Sequence, residues 1–185
     1  MSPKGRAGTF KRKEKDAEEL SVQRVVTEQD GRSTEELPPA TNELRIRRAH
    51  ARDVERLAEL CGELGYPTSV KEMKARLRDV LKDKDGVCFV AVQRDEEVIG
   101  WIHVSVRPLV EVERRAEVNG LVVDERVRSL GAGGWLLAAG EKWAQGKRCK
   151  GMSVRSNVLR ERAHGFYLRN GYEHYKTQKA FRKKI

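Results

Sequence analysis

The chain has 185 residues, of which 38% are apolar, enough to fill one core without calling for a second domain. No apolar run approaches the roughly 20 residues of a membrane span, and nothing at the N-terminus resembles a secretory signal. The three cysteines (Cys61, Cys88, Cys149) lack metal-ligand spacing, so a membrane span, a secreted disulfide scaffold and a structural metal site are excluded, and a cytoplasmic protein with reduced core thiols is expected. The net charge of +10 is unevenly placed: residues 1–42 hold eight basic and eight acidic residues, whereas 43–185 hold 30 and 20. That excess would attract a polyanionic cofactor or nucleic acid, and charge alone does not choose between them.

Residues 1–42 carry alternating charge clusters, a Gly-Arg-Ser-Thr stretch and Pro38-Pro39, which predicts a disordered tail ahead of one domain over 43–185. Leu44-Arg45-Ile46 alternates as a strand. Val54, Leu57, Ala58, Cys61 and Leu64 recur at helical spacing, with a start at Ala51 or Asp53. After the Gly65-Tyr66-Pro67 break, Val70, Met73, Leu77, Val80 and Leu81 predict a second helix capped by Thr68 or Ser69. Val87–Val92 and Val98–Val106 read as an antiparallel hairpin across Arg94–Glu97. A further strand is predicted over Ala116–Val123. The segment Arg128-Ser129-Leu130-Gly131-Ala132-Gly133-Gly134 then leads into a helix whose apolar face is Leu136, Leu137, Gly140, Trp143 and Ala144. Met152–Val154 gives a short strand, and Leu159, Ala163 and Phe166 give a helix over about 158–169. Tyr172–Tyr175 and Gln178–Phe181 close the chain as a predicted hairpin. The order β-αα-βββ-α-β-α-ββ predicts an α/β (α+β) layer with a mixed, mostly antiparallel sheet and helices on both faces.

A glycine-rich turn between a strand and a helix is an anion cradle, because glycines let a ligand approach the backbone and the first helical N–H groups lack internal partners. A dinucleotide fingerprint would need glycine at Leu136, and a Walker loop would need Lys-Ser or Lys-Thr after its last glycine; neither is present. Arg128-x-x-Gly131-x-Gly133 does match, position for position, the Arg/Gln-x-x-Gly-x-Gly/Ala signature of the GNAT superfamily of acyl-coenzyme A N-acyltransferases. Glu117–Asp124 stands where that family has its central strand, and Ser156-Asn157 follows the next strand. Ala163-His164-Gly165-Phe166-Tyr167 followed by Gly171-Tyr172 matches its Ala-x-x-Phe-Tyr…Gly-Phe/Tyr pattern. The chain resembles this superfamily over about residues 44–183, and the resemblance implies the same fold.

The resemblance also implies the chemistry. Acetyl-coenzyme A would be the cosubstrate, with no metal; its pyrophosphate would lie on the amides of Leu130, Gly131, Ala132, Gly133 and Gly134, beside Arg128 and Ser129. Its pantetheine arm would pair with the main chain of Leu121, Val122 and Val123, and Asn157 would contact it or else cap the following helix. Alkyl amines are mostly protonated near neutrality and attack only when neutral, so a base is needed. Glu117 is the first candidate, with Glu111, Glu113 and His103 behind it, and pairing with an arginine or a solvated edge position is the competing use of Glu117. Tyr167 matches the family tyrosine that protonates the leaving thiolate, and helical packing is its competing use. Tyr66, Trp101 and Glu111 could line an acceptor pocket or simply pack. The expected reaction is direct acetyl transfer to a primary amine, a small molecule being slightly favoured over a protein, and a homodimer is left open. Two alternatives compete: an acyl-coenzyme A sensor or scaffold without turnover, and a nucleic-acid-binding role for the basic ends Lys11–Lys15 and Lys176–Lys184. The latter lacks the aromatic-basic motifs of RNA modules.

Overall fold

The computed structural model describes residues 44–93, 96–127 and 130–185. β1 (Arg45–Arg48) enters α1 (Val54–Glu63) through a 3₁₀ turn at Ala51–Asp53. That turn closes on the Asp53 carboxylate, which accepts from the His50 amide at 2.7 Å and from both terminal nitrogens of Arg47 at 2.8 and 2.9 Å. A two-point grip of this kind fixes direction as well as charge. α2 (Val70–Lys82) starts at Ser69, whose hydroxyl accepts from the Glu72 amide while the Glu72 carboxylate accepts from the Ser69 amide. Two otherwise orphaned donors are thereby satisfied reciprocally.

β2 (Gly86–Gln93), β3 (Glu97–Val106), β4 (Ala116–Val123) and β5 (Met152–Val154) complete a sheet of order β1-β2-β3-β4-β5. All pairs are antiparallel except β4 with β5, and a parallel pair needs a long crossover. α3 (Ala132–Gly146) supplies it and covers one face, burying Leu136, Leu137 and Ala144 with Ile99, Ile102 and Val104. α1 and α2 cover the other, where Leu57, Leu60, Met73 and Leu77 pack with Cys88, Val90, Trp101 and Val122. α4 (Glu161–Arg169) lies against the N-terminal turn of α3, a Cβ on Gly133 being only 3.3 Å from the Phe166 ring. The mixed sheet with helices on both faces agrees with the predicted fold class, and Cys61, Cys88 and Cys149 are free thiols. Burial pushes the Cys88 thiol up to about 12, which makes it inert.

The predicted closing hairpin is not formed. Residues 170–185 contain no strand, and almost all of them are exposed. Lys176, Lys179, Arg182, Lys183 and Lys184 repel one another along this segment, Lys176-Thr177 offers no turn residue, and Tyr175, Phe181 and Ile185 have no apolar face to join. The last helix is also shorter than predicted, beginning at Glu161 rather than near 158. The expectation for residues 1–42 lies outside the described residues.

Candidate active site between the fourth and fifth strands

β5 pairs with β4 over three residues only, Ala116 with Met152, Glu117 with Ser153 and Val118 with Val154. β4 then runs on alone, so that among the described residues no strand lies beside the outer edge of Asn119–Val122. One cause is a bulge: His103 pairs with Gly120 and Val104 with Val118, leaving Asn119 as the extra residue. A bulge bends its strand and increases the local twist, which carries β4 away from β5. Asn119 is held by its Nδ2, which donates to the Oγ of the buried Ser105 at 2.8 Å.

The bulge also resets which residues share a face. Glu117 lies opposite Ser105 and Val122 opposite Trp101, so both point to the side covered by α1 and α2, together with His103. Gly120 is required there, since a Cβ would sit 2.8 Å from the Trp101 ring. Trp101 is therefore a core residue, its buried Nε1 without a hydrogen-bond partner among the described residues. Glu117 is 24% exposed and meets Arg155 at 2.7 Å, Arg155 following directly after β5. Burial holds the His103 imidazole below the usual histidine range, so the ring is neutral at pH 7; Asp83 opposes this shift and Arg107 adds to it.

The end of β4 leads to the glycine loop. Asp124, 1% exposed, accepts from the Arg126 amide at 2.8 Å, from Arg126 Nη2 at 2.6 Å and from Arg56, while its own amide donates to the Ile99 carbonyl. The Arg126 guanidinium does most to hold this carboxyl down at about 2; burial opposes it, and the Arg126 amide and Arg56 add to the lowering. Arg128 and Ser129 lie outside the described residues. Gly131 takes φ +80°, a conformation open to glycine, and stands at the N-cap of α3 with no side-chain cap and no acidic residue in the first turn. Among the described residues the leading amides of Ala132, Gly133 and Gly134 thus have neither a side-chain cap nor an acidic residue in the first turn, an arrangement that fits a bound phosphate. The extended main chain of Leu121 and Val122 beside the gap fits an amide-bearing arm equally well.

α4 closes the other side of the gap. Tyr167 packs edge-on to Phe166 (5.2 Å) and Tyr172 (5.6 Å), and burial raises its phenol above the ordinary tyrosine value, with Arg160 opposing. Asn157 makes the local bond: its Oδ1 accepts from the Leu159 amide at 3.0 Å. Arg160 reaches across to the Leu64 carbonyl at 2.6 Å, tying α4 to the loop that carries the exposed Tyr66. Tyr66, Tyr167, Asn157 and Arg155 line one cavity of ≈ 1520 Å³. Glu111 stands apart on the exposed connection between β3 and β4, and Trp101 is absent from the cavity wall. Arg155 and the Asn119–Ser105 pair were not singled out from the sequence. A parallel register that sets Ser153 against Glu117 would have pointed to Arg155, but no local pattern carries it.

Residues 51–172 match the sequence model of the Acetyltransferase (GNAT) family. No curated protein sequence matches. Among solved structures, aminoglycoside N-acetyltransferase AAC(6')-Iy in complex with CoA is similar at 21% identity and TM-score 0.73, over 80% of this chain and 100% of that one. Aminoglycoside 6'-N-acetyltransferase AAC(6')-IG from Acinetobacter haemolyticus follows at 21% identity and TM-score 0.67, over 76% and 98%. A transcriptional regulator from Bacillus halodurans C-125 is similar at 21% identity and TM-score 0.63, over 75% and 99%. At these identities the likeness concerns the fold.

Proposed function

The chain belongs to the GNAT acetyltransferase family, an acyl-coenzyme A N-acyltransferase using acetyl-coenzyme A, and from that premise we propose that the gap between β4 and β5 is where an acetyl group passes to a primary amine. The observation that carries this reading is the early end of β5 beside a bulged β4, with Glu117 on β4 and Tyr167 in the wall of the cavity that Arg155, the ion-pair partner of Glu117, also lines. The cosubstrate supplies an activated acyl group as a thioester. Its phosphates would be held by the amides of Leu130–Gly134 and by Arg128, and its arm by the main chain of Leu121 and Val122. Glu117 takes the proton from the incoming nitrogen, and Tyr167 gives its phenol proton to the departing sulfur. Transfer is direct, without a covalent acyl-enzyme. A small-molecule amine is favoured as acceptor over a protein amino group, and in the described residues no helix is long and apolar enough to cross a membrane.

The test is thiol release from acetyl-coenzyme A against a panel of amines, with Glu117→Gln as the informative variant. Loss of general-base help is expected to lower kcat/KM about 100-fold. Full turnover by the variant across the pH range would reject Glu117 as the base. The cofactor loop is tested separately by titrating acetyl-coenzyme A into a variant combining Arg128→Ala with Gly131→Val. A β-branched residue is strained at φ +80° and the loop loses a cation, so Kd should rise about tenfold or more. Undiminished affinity would place the pyrophosphate elsewhere.

A further inference from the structure

The wall of the cavity is unequally charged. Arg115, Lys150, Arg155, Lys176 and Lys179 face it against the carboxylates of Glu141 and Glu173. Glu117, which could have drawn in a second ammonium group, is instead occupied by Arg155 at 2.7 Å. The Nε of Arg115 is buried without an acceptor among the described residues. Arg115 and Lys150 lie far from the loop proposed to hold the phosphates of the cosubstrate. α3 runs 15 residues from the glycine loop to the end at which Ala144 and Gln145 line the cavity, which is about 20 Å. Arg115 directly precedes β4 and Lys150 lies two residues before β5, at that far end.

We infer that the acceptor is an amine that carries its own carboxylate or phosphate, selected by Arg155, Arg115 and Lys150 against polycationic amines. This rests on the gap being the transfer site and adds the substrate class. The anion meets the guanidinium and ammonium groups, while the amine end lies toward Glu117. A polycation such as an aminoglycoside would meet the same wall with like charge, so the likeness to aminoglycoside acetyltransferases does not extend to the acceptor. Arg155 is 74% exposed, so an incoming anion can draw its guanidinium off Glu117 and leave the carboxylate for the amine.

The experiment compares kcat/KM for L-glutamate and its diamide, for O-phosphoethanolamine and ethanolamine, and for spermidine and neamine. An anionic acceptor should exceed its neutral isostere about tenfold, and the margin should shrink as salt is raised. The leading pair tells carboxylate from phosphate. Arg155→Gln and Lys150→Gln should each reduce the margin severalfold. Preference for spermidine or neamine, or an unchanged margin in both variants, would overturn the inference. Absence of amine-dependent thiol release with every one of these acceptors would defeat the transfer reading instead. In that case calorimetric titration of L-glutamate and O-phosphoethanolamine into the coenzyme A-loaded protein decides the anion site alone: salt-sensitive binding lost in Arg155→Gln supports it, and no binding overturns it.

Discussion

Replacing Asp124 by alanine should cost about 3–5 kcal/mol of folding stability, the loss typical of breaking a buried ion pair by removing one partner. Asp124 is almost wholly enclosed, and its carboxylate serves Arg56, the Arg126 guanidinium and the Arg126 amide together. Arg56 also donates to the Val98 carbonyl and pairs with Glu59, so the variant leaves a half-buried guanidinium anchored to β3 without its main counter-charge. The pH dependence gives a second readout. The folded carboxyl sits at about 2, below its ordinary 3.8, so the native state holds this proton less tightly than the unfolded chain does. Its contribution, about 2 kcal/mol, is therefore fully present above about pH 5 and is lost as pH falls toward 2. Urea unfolding of wild type and Asp124→Ala at pH 6 and at pH 2.5 should show the gap between them narrowing in acid. A difference below about 1 kcal/mol at pH 6, or one that does not change with pH, would show that the cluster does not carry the stability assigned to it. Asp124 also fixes the point where β4 becomes the glycine loop, which links a stability residue to the cofactor end of the site.

The sequence was most legible where a single element sets its own pattern. Ala116–Val123 and Met152–Val154 stand where their apolar runs put them, and Ser69 caps α2 because Glu72 lies three residues on. The closing hairpin failed for the opposite reason. Tyr172–Tyr175 and Gln178–Phe181 alternate as strands do, but a strand needs a neighbour and a face to bury, and five basic residues over 176–184 work against both. The features that shape the gap were invisible locally. In β4 the residues on both sides of Asn119 are apolar, so the bulge that moves Val122 to the face of Trp101 leaves no break in the alternation; Gly120 is its only trace. From the sequence Trp101 can line a pocket or, as aromatic side chains more often do, pack in the core, and its place opposite Val122 on the face covered by α1 and α2 is a property of the assembled sheet. The same holds for Arg155, which meets Glu117 only because the α3 crossover brings β5 into that register. Glu117 and Tyr167 came from the resemblance rather than from periodicity. Each now has a defined neighbour against which its chemistry can be tested.

Tyr167→Phe is expected to lower kcat about 100-fold while leaving the Kd for acetyl-coenzyme A within about threefold, since it removes one proton donor and little else. The competing role of this side chain is packing, and phenylalanine preserves that. The ring still meets Phe166 and Tyr172 edge-on, and such contacts depend on the aromatic faces rather than on the hydroxyl. Thermal unfolding should therefore stay within about 2 °C of wild type, a shift corresponding to at most about 1 kcal/mol for a chain of this size. The pH profile separates the roles further. Because burial raises the phenol above its ordinary value, the proton is in place throughout the range in which an amine becomes neutral. Wild-type turnover should then climb with pH as the acceptor deprotonates, without an alkaline fall from Tyr167 below about pH 10. In the phenylalanine variant release of the thiolate becomes the slow step, and acyl donors with more acidic thiols should recover part of the rate. Recovery of that kind, with an unchanged melting temperature, identifies an acid at the sulfur. Thiol release at the wild-type rate would reduce Tyr167 to a packing residue of α4.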